Sequence, residues 1–282
     1  MKILSFGEII IDEYPDGWCL GGAPLNFAAH AVLSGAEGYL ISAVGKDKYG
    51  ELALDKIAGL GVDTRFISAS DRLPTGRCIV RLDEDGVPKY DLLSCVAYDE
   101  IKCAKELSDM SFDAVAFGTL ALRSEHNRAV LCDILSQIPE TCVYCDLNLR
   151  SPFYDRESVE FCLSRATVLK LSEDEVTECV RLLLGIDADI HGSAAALAEH
   201  YSNLELIVIT LGDAGSLAYD TRSKEIYNCK AVPVRVVSTV GAGDSFGAAF
   251  LVAYLNSEPI DECLIHGAKR SAEVVAQQGA IL

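Results

Sequence analysis

The stretch "VSTVGAGDSFGAAF" (residues 237–250) places one carboxylate, Asp244, between a glycine turn and an apolar run typical of a helix. The residues without bulk before it, Gly241, Ala242 and Gly243, allow backbone N–H groups to converge on an anion. The helix dipole adds about half a positive charge at the same place. The stretch therefore predicts an anion site with a carboxylate beside it. An aspartate that merely favours a helix N-terminus is the alternative interpretation.

Other glycine and cysteine patterns do not match known sites. "GYLISAVGK" has two residues too many for a P-loop, and Gly241, Gly243 and Gly247 miss the Rossmann spacing by one residue. "CVYC" (residues 142–145) falls in a predicted strand, where residues three apart point to opposite faces. The sequence therefore predicts neither a dinucleotide fold nor a metal site built from Cys or His.

Composition limits the class of protein. The chain has 282 residues, half of them hydrophobic, and a net charge of −18. That charge repels nucleic acid and anionic membranes, so we expect neither as a partner, and a nucleotide site must be positive only locally. No apolar run reaches the roughly 18 residues of a membrane-spanning helix. The 11 irregularly spaced cysteines indicate a reducing, cytoplasmic location.

Strand-like and helix-like segments alternate along the chain, which predicts a mostly parallel sheet between two helix layers. The predicted strands are residues 2–7, 38–45, 113–118, 142–147, 167–172 and 205–212, with a further strand, "VPVRVV" (232–237), before the glycine turn. The predicted helices are residues 24–34, 49–58, 125–136, 193–201, 245–255 and 261–277.

Residues 73–93 break this alternation. Two runs of period-two alternation flank "DEDG" (83–86), a hairpin signal with one solvated face. We therefore expect a β-flap off the main sheet. The prediction is one domain, 1–282, with lid segments at about 12–22 and 73–98.

Two signatures resemble one enzyme family. "STVGAGDSFGAAF" is similar to the C-terminal signature D-T-x-G-A-G-D of the ribokinase/PfkB sugar kinases, and residues 21–64 resemble that family's first signature almost throughout. "FGEIIIDEYP", "PTGRCIVRLDEDGVPKY", "FGTLALRS" and "DLNLR" resemble the fructokinase branch. Branches that act on keto-deoxygluconate or nucleosides share parts of these four segments.

The resemblance implies a ribokinase-like three-layer α/β/α domain with a mostly parallel sheet and a small β lid. It implies an ATP- and Mg²⁺-dependent kinase that transfers the γ-phosphate to a primary hydroxyl of a small sugar, with fructose as the expected sugar. The alternatives are 2-keto-3-deoxygluconate, ribose or a nucleoside as acceptor, or a sugar-binding regulator without activity. Pairing of two copies through the lid also follows from the resemblance.

Site roles carried over from the family fall into three groups. Asp244 is the expected base, the backbone of Gly241, Ala242 and Gly243 is the expected anion hole, and Arg150 reaches substrate or γ-phosphate. The expected sugar contacts are Asp12, Gly22 and Asn26. The expected nucleotide contacts are Thr210, Gly212, Gly215, Gly267 and Ala268, with Glu175 acting on Mg²⁺ indirectly.

Three points qualify this transfer. A helix N-terminus is expected to lower the pKa of Asp244 and weaken it as a base. Ser172 replaces the Asn of the family's N-x-x-E motif, and Ser238 replaces an Asp that helps to hold K⁺ in several relatives. We therefore expect weak or absent K⁺ activation. An acidic sugar would need cations near Asp12, for which the candidates are Arg77, Arg81 and Lys89.

Overall fold

A nine-stranded sheet forms the centre of the molecule. The computed structural model describes residues 1–15, 17–82, 88–103, 107, 109–139 and 141–281, with only the backbone at positions 82 and 88–90. The strands of the main sheet are β1 (Lys2–Phe6), β4 (Glu37–Gly45), β5 (Ile67–Ser70), β8 (Ala114–Phe117), β9 (Cys142–Asp146), β10 (Val168–Ser172), β11 (Leu206–Thr210), β12 (Ser216–Asp220) and β13 (Ile226–Cys229). Their order is β13-β12-β11-β10-β9-β8-β1-β4-β5. Two of its strand pairs, β11 with β12 and β12 with β13, are antiparallel and the others are parallel, so the sheet is mostly parallel as predicted.

Helices cover both faces of this sheet. They are α1 (Ala23–Leu33), α2 (Lys48–Gly59), α3 (Glu125–Gln137), α4 (Arg156–Leu163), α5 (Glu173–Leu184), α6 (Ile190–His200), α7 (Ala242–Leu255) and α8 (Ile260–Val275). Helices α1, α2, α7 and α8 pack on one face, and α3 to α6 pack on the other. In the described part of the chain, no helix is long and apolar enough to cross a membrane.

A second sheet of four strands lies apart from the first. It contains β2 (Ile10–Tyr14), β3 (Gly17–Gly21), β6 (Gly76–Leu82) and β7 (Pro88–Leu92), in the order β3-β2-β6-β7. We call it the lid sheet. Strands β6 and β7 pair antiparallel as the predicted hairpin requires, while its "DEDG" turn lies outside the described residues. Strand β2 pairs with β6 in parallel, which joins the two lid segments.

The predicted strand at residues 232–237 is wrong. Residues 230–239 have no regular secondary structure, and Val232, Val234 and Val236 are exposed. Pro233 lacks the N–H that a strand ladder requires. The amides of Val237 and Ser238 instead donate to the carbonyl of Val275 at the end of α8, at 2.7 and 3.3 Å. The edge of the sheet is formed by β13.

One aspartate connects α2 to the lid sheet. Asp47 is the N-cap of α2 and accepts a hydrogen bond from the Gly50 amide at 2.9 Å. The same carboxylate accepts bonds from the amide and the hydroxyl of Thr75, at 2.8 and 2.7 Å, directly before β6 begins. The fixed start of α2 therefore also fixes the start of the lid strand.

We predict that Asp47→Ala lowers the free energy of unfolding by about 2 kcal/mol, because a cap and two bonds to Thr75 are lost together. Urea denaturation followed by circular dichroism measures the change. Asp55→Ala, at an exposed position of the same helix, is the matched control and should stabilise by no more than about 0.7 kcal/mol. Equal stability of wild type and Asp47→Ala would contradict the linkage.

Candidate active site

The start of α7 and the start of α1 meet at the carboxyl edge of the main sheet. Asn26, in the first turns of α1, donates from Nδ2 to Oδ2 of Asp244 at 2.7 Å. Asp244 is the third residue of α7. Residues 218 positions apart in sequence therefore share one hydrogen bond, and the structure brings the predicted base together with a predicted sugar contact.

The glycine turn leaves backbone donors free beside this carboxylate. Gly241 is the N-cap of α7 with a left-handed backbone (φ 81°), and it has no side chain to cap the helix. The amide of Ala242 donates to the carbonyl of Thr239 at 3.2 Å. Within the described residues, the amides of Gly241, Gly243 and Asp244 donate no hydrogen bond. Two of the three predicted anion-hole amides are thus available, and Asp244 supplies another.

The expectation of a lowered pKa for Asp244 is wrong. Burial raises the pKa of Asp244 above its ordinary value and outweighs the opposing contributions. Those contributions are the hydrogen bond from Asn26 and the positive charges of Lys170 and Arg150. Loss of hydration at this position therefore has a larger effect than the hydrogen bond and the positive charges around it, and the carboxylate is a stronger base than its helix position alone implies.

Two further carboxylates lie near Arg150. Burial raises the pKa of Asp12 to about 6 and that of Glu8 to about 7, and the charge of Arg150 opposes both shifts. Arg150 is exposed, and within the described residues its guanidinium forms no ion pair. It is therefore available to a ligand between these groups.

The double glycine before α1 permits this arrangement. A Cβ on Gly21 would lie 2.9 Å from Oδ2 of Asp12, and a Cβ on Gly22 would lie 2.4 Å from the carbonyl oxygen of Glu8. Gly22 also has φ 115°, which side chains rarely adopt. Both glycines let the backbone pass close to the two acids.

The predicted nucleotide residues fall in two places. Thr210 ends β11, and Gly212 and Gly215 form the turn after it with φ 59° and 110°. A Cβ on Gly267 would lie 2.9 Å from the Phe246 ring, so that glycine allows α8 to pack against α7. Ala268 is buried in the same helix. The structure gives these last two a packing role, and their contact with adenine stays a prediction.

Glu175 connects two loops at the carboxyl edge. Its Oε1 accepts from the Leu149 amide at 2.7 Å, and its Oε2 accepts from the Ser172 amide at 2.8 Å. The Ser172 hydroxyl accepts from the Glu175 amide at 3.3 Å, which completes a capping box for α5. Each carboxylate oxygen keeps a lone pair for a metal-bound water, so the donor set fits an indirect role toward Mg²⁺.

Three charged residues of this site had no role assigned from the sequence, although two of them stand in the segments FGEIIIDEYP and DLNLR. They are Glu8, Asp146 and Lys170, all nearly inaccessible to solvent. Lys170 and Asp146 form an ion pair with Nζ–O distances of 2.8 and 2.9 Å. The detectable signal was Lys170 itself, the only charged residue in the apolar strand "VLKLS".

We predict that Glu8→Gln changes how stability depends on pH. Because the folded-state pKa of about 7 lies above the ordinary value of 4.5, ionised Glu8 destabilises the folded chain. The contribution of Glu8 to the free energy of unfolding therefore falls by up to about 3 kcal/mol as the pH rises from about 4.5 to 7. Urea denaturation should therefore show that Glu8→Gln loses less unfolding free energy between pH 5 and pH 8 than the wild type loses.

Glu51→Gln, at an exposed position in α2, is the control for this measurement, and its stability should depend on pH as that of the wild type does. Identical pH dependence in wild type and Glu8→Gln would contradict the assignment of a buried, easily protonated acid at position 8.

Comparison with known proteins identifies relatives over almost the whole chain. A probable fructokinase-5 of Arabidopsis thaliana is 28% identical, covering 99% of this chain and 93% of that protein. A fructokinase of Salmonella typhimurium is 27% identical, covering 92% and 87% of the two chains.

Solved structures share the fold. An uncharacterized sugar kinase of Pyrococcus horikoshii, 26% identical, superposes with a TM-score of 0.83 over 99% of this chain and 93% of its own, and it was also solved with ATP. A 2-dehydro-3-deoxygluconokinase of Thermotoga maritima, 20% identical, gives a TM-score of 0.85 over 100% and 96% of the chains.

The family model described as pfkB family carbohydrate kinase matches residues 19–282. The predicted family, ribokinase-like fold and enzyme class are thereby confirmed: this chain belongs to the pfkB family of carbohydrate kinases, which are ATP-dependent phosphotransferases.

Proposed function

We propose that this kinase phosphorylates a small neutral sugar, with fructose as the substrate and Asp244 as the base. The observation that supports this best is the hydrogen bond between Asn26 and Asp244, because it joins an acid of raised pKa in the first turn of α7 to an expected sugar contact. A base and an anion site that share one helix terminus suit transfer of a phosphoryl group to a hydroxyl.

In the proposed mechanism, Asp12 and Asn26 hold hydroxyls of the sugar and direct one of them toward Asp244. Asp244 accepts the hydroxyl proton on its carboxylate as the new oxygen–phosphorus bond would form, while the bond between the γ-phosphorus and the bridging oxygen of ATP would break and ADP would leave with that oxygen. Asn26 keeps that carboxylate oriented through the 2.7 Å bond. Since the transition state is loose, the proton leaves late, and a carboxylate is a sufficient base.

Backbone amides and Arg150 would receive the negative charge of the transferring group. The free amides at Gly243 and Asp244 meet it at the turn, and the unpaired guanidinium of Arg150 approaches from the loop after β9. Thr210, Gly212 and Gly215 would hold the nucleotide phosphates. Mg²⁺ bound to ATP would neutralise phosphate charge, with Glu175 hydrogen-bonding its water shell.

The faces of the lid sheet favour a neutral sugar over an acidic one. Asp12 is paired in register with Cys78, whereas Arg77 pairs with Ile11, so Arg77 and Arg81 alternate onto the opposite face. Arg77 already forms an ion pair with Glu13 at 3.3 Å. The side chain of Lys89, the third candidate, lies outside the described residues. An acidic sugar such as 2-keto-3-deoxygluconate would thus gain no cation from Arg77 or Arg81.

We also propose that the lid sheet closes over the sugar, that two copies pair through it and that the protein is cytoplasmic. The lid sheet would close over the sugar and exclude water that would otherwise accept the phosphate. Its outer strands β3 and β7 each have one unpaired edge within the described chain, which suits pairing of two copies through the lid. A cytoplasmic location would supply ATP and a reducing environment for the 11 cysteines.

We predict that ADP release, followed with a panel of sugars, is fastest with fructose and that Asp244→Asn lowers kcat by about 10³-fold. Asp261→Asn is the matched control, because Asp261 occupies the first turn of α8 and is exposed. Its kcat should equal that of the wild type.

The panel also separates the alternatives. A higher kcat/KM for 2-keto-3-deoxygluconate, ribose or a nucleoside would contradict fructose as the substrate but would still support kinase activity. Sugar binding without ADP release would indicate the regulator, and full activity of Asp244→Asn would overturn its role as base.

We predict that replacing K⁺ by a bulky organic cation changes the rate by less than about twofold, since Ser238 supplies no charged oxygen for a hard cation. The Ser238 hydroxyl instead accepts from the Val240 amide at 3.2 Å. Ser238→Asp should create K⁺ activation in a rate titration. Strong K⁺ dependence of the wild type would contradict this prediction.

A further inference from the structure

The buried ion pair between Lys170 and Asp146 lies directly under the glycine turn. The two residues are paired in register on β10 and β9, and their side chains are 6% and 11% exposed. Nζ of Lys170 contacts both carboxylate oxygens of Asp146, at 2.9 and 2.8 Å. A cavity of about 20 Å³, whose lining includes Asp146 and Asp244, has room for a single water molecule. The low exposure of both residues limits how far solvent can screen the pair.

The positive end of this pair faces the turn. A Cβ on Gly243 would lie 2.9 Å from Nζ and 3.9 Å from Cε of Lys170, and no atom of Asp146 comes within 4 Å of that point. The ammonium, rather than the carboxylate, is therefore the group against Gly243. Position 243 lacks a side chain where the ammonium needs the space.

Stability does not explain a charged pair at this position. Removing two charges from water costs about as much as their attraction returns, and well-packed apolar residues often replace such pairs without loss. Lys170 and Val168 point to the same side of β10, where the neighbouring side chains form an apolar core with α7. The presence of a lysine among these apolar side chains therefore requires an explanation other than stability.

We propose that Lys170 is a positioning residue for phosphoryl transfer: anchored by Asp146, its ammonium fixes the Gly243 end of the turn and supplies a permanent positive charge behind the anion-hole amides. This inference deepens the proposed function and rests on it. The transferring phosphoryl group spreads negative charge over its oxygens in the transition state, and a fixed charge in a dry site stabilises it without reorganisation.

The surrounding charges agree with this role. Burial lowers the pKa of Lys170, but the nearby carboxylates raise it above its ordinary value, so the side chain is an ammonium at neutral pH. Those carboxylates are Asp146, Glu175 and Asp244. Lys170 in turn opposes the rise that burial causes in the pKa of Asp244.

Two neutral pair replacements test the proposal. Lys170→Gln with Asp146→Asn keeps the shape and hydrogen bonding, and Lys170→Met with Asp146→Leu makes the position apolar, so neither leaves an unpaired buried charge. The control is Arg123→Gln with Asp99→Asn, which removes another largely buried pair (2.8 Å) away from the turn. Each full-length protein is measured for urea stability, kcat, and KM for sugar and ATP.

We expect at least one replacement with wild-type stability to lose about 100-fold in kcat, as expected when one transition-state stabilising group is removed. KM for sugar and ATP should change by less than about threefold, because the ammonium lies behind the turn and would contact neither substrate in the ground state. The control pair should keep kcat within the same threefold range.

A kcat within threefold of wild type in folded neutral replacements would overturn the proposal and leave the pair as part of the core. A loss of kcat in the control pair as large as the loss in the replacements of Lys170 and Asp146 would also overturn it. Failure of the proposed function is distinguishable, because it appears as wild-type protein without sugar-dependent ADP release or as an active Asp244→Asn.

Discussion

The contact between Asn26 and Asp244 is the constraint on which the arrangement of this molecule depends. It requires the first turns of α1 and α7 to lie side by side at one edge of the sheet. Small residues make this possible: Gly247 lies so close to Tyr144 that a Cβ there would be 2.2 Å from the hydroxyl. The packing of both helices on one sheet face therefore serves the geometry of a single carboxylate.

A chain of net charge −18 needs local positive charge to hold a phosphate, and the structure supplies it in layers. In the proposed anion site, backbone amides would form the surface, Lys170 lies behind them against Gly243, and the exposed guanidinium of Arg150 would add a further charge. Of these three sources, only Arg150 is an exposed side chain. The site can therefore attract a polyanion at contact distance while the molecule as a whole repels it.

Local patterns predicted the elements whose signal is contained in a few residues. The GAGD turn, the parallel strands and the lid hairpin were predicted because glycine conformations and hydrophobic periodicity are properties of short segments. The sequence did not reveal which face each lid residue occupies, and Arg77 and Arg81 turned out opposite to Asp12. The raised pKa of Asp244 was unpredictable for a related reason, since burial by α1 and the sheet depends on residues far away in sequence.

Cys78 offers a chemical handle on lid movement. It is 3% exposed because it packs into the core beneath β6, whereas Cys19, which is in register with the same Asp12, is exposed on the edge strand β3. Alkylation of Cys19 would report simple accessibility, while alkylation of Cys78 requires the lid sheet to separate from the layer beneath it. The ratio of the two rates would therefore report how often the proposed lid separates from the core beneath it.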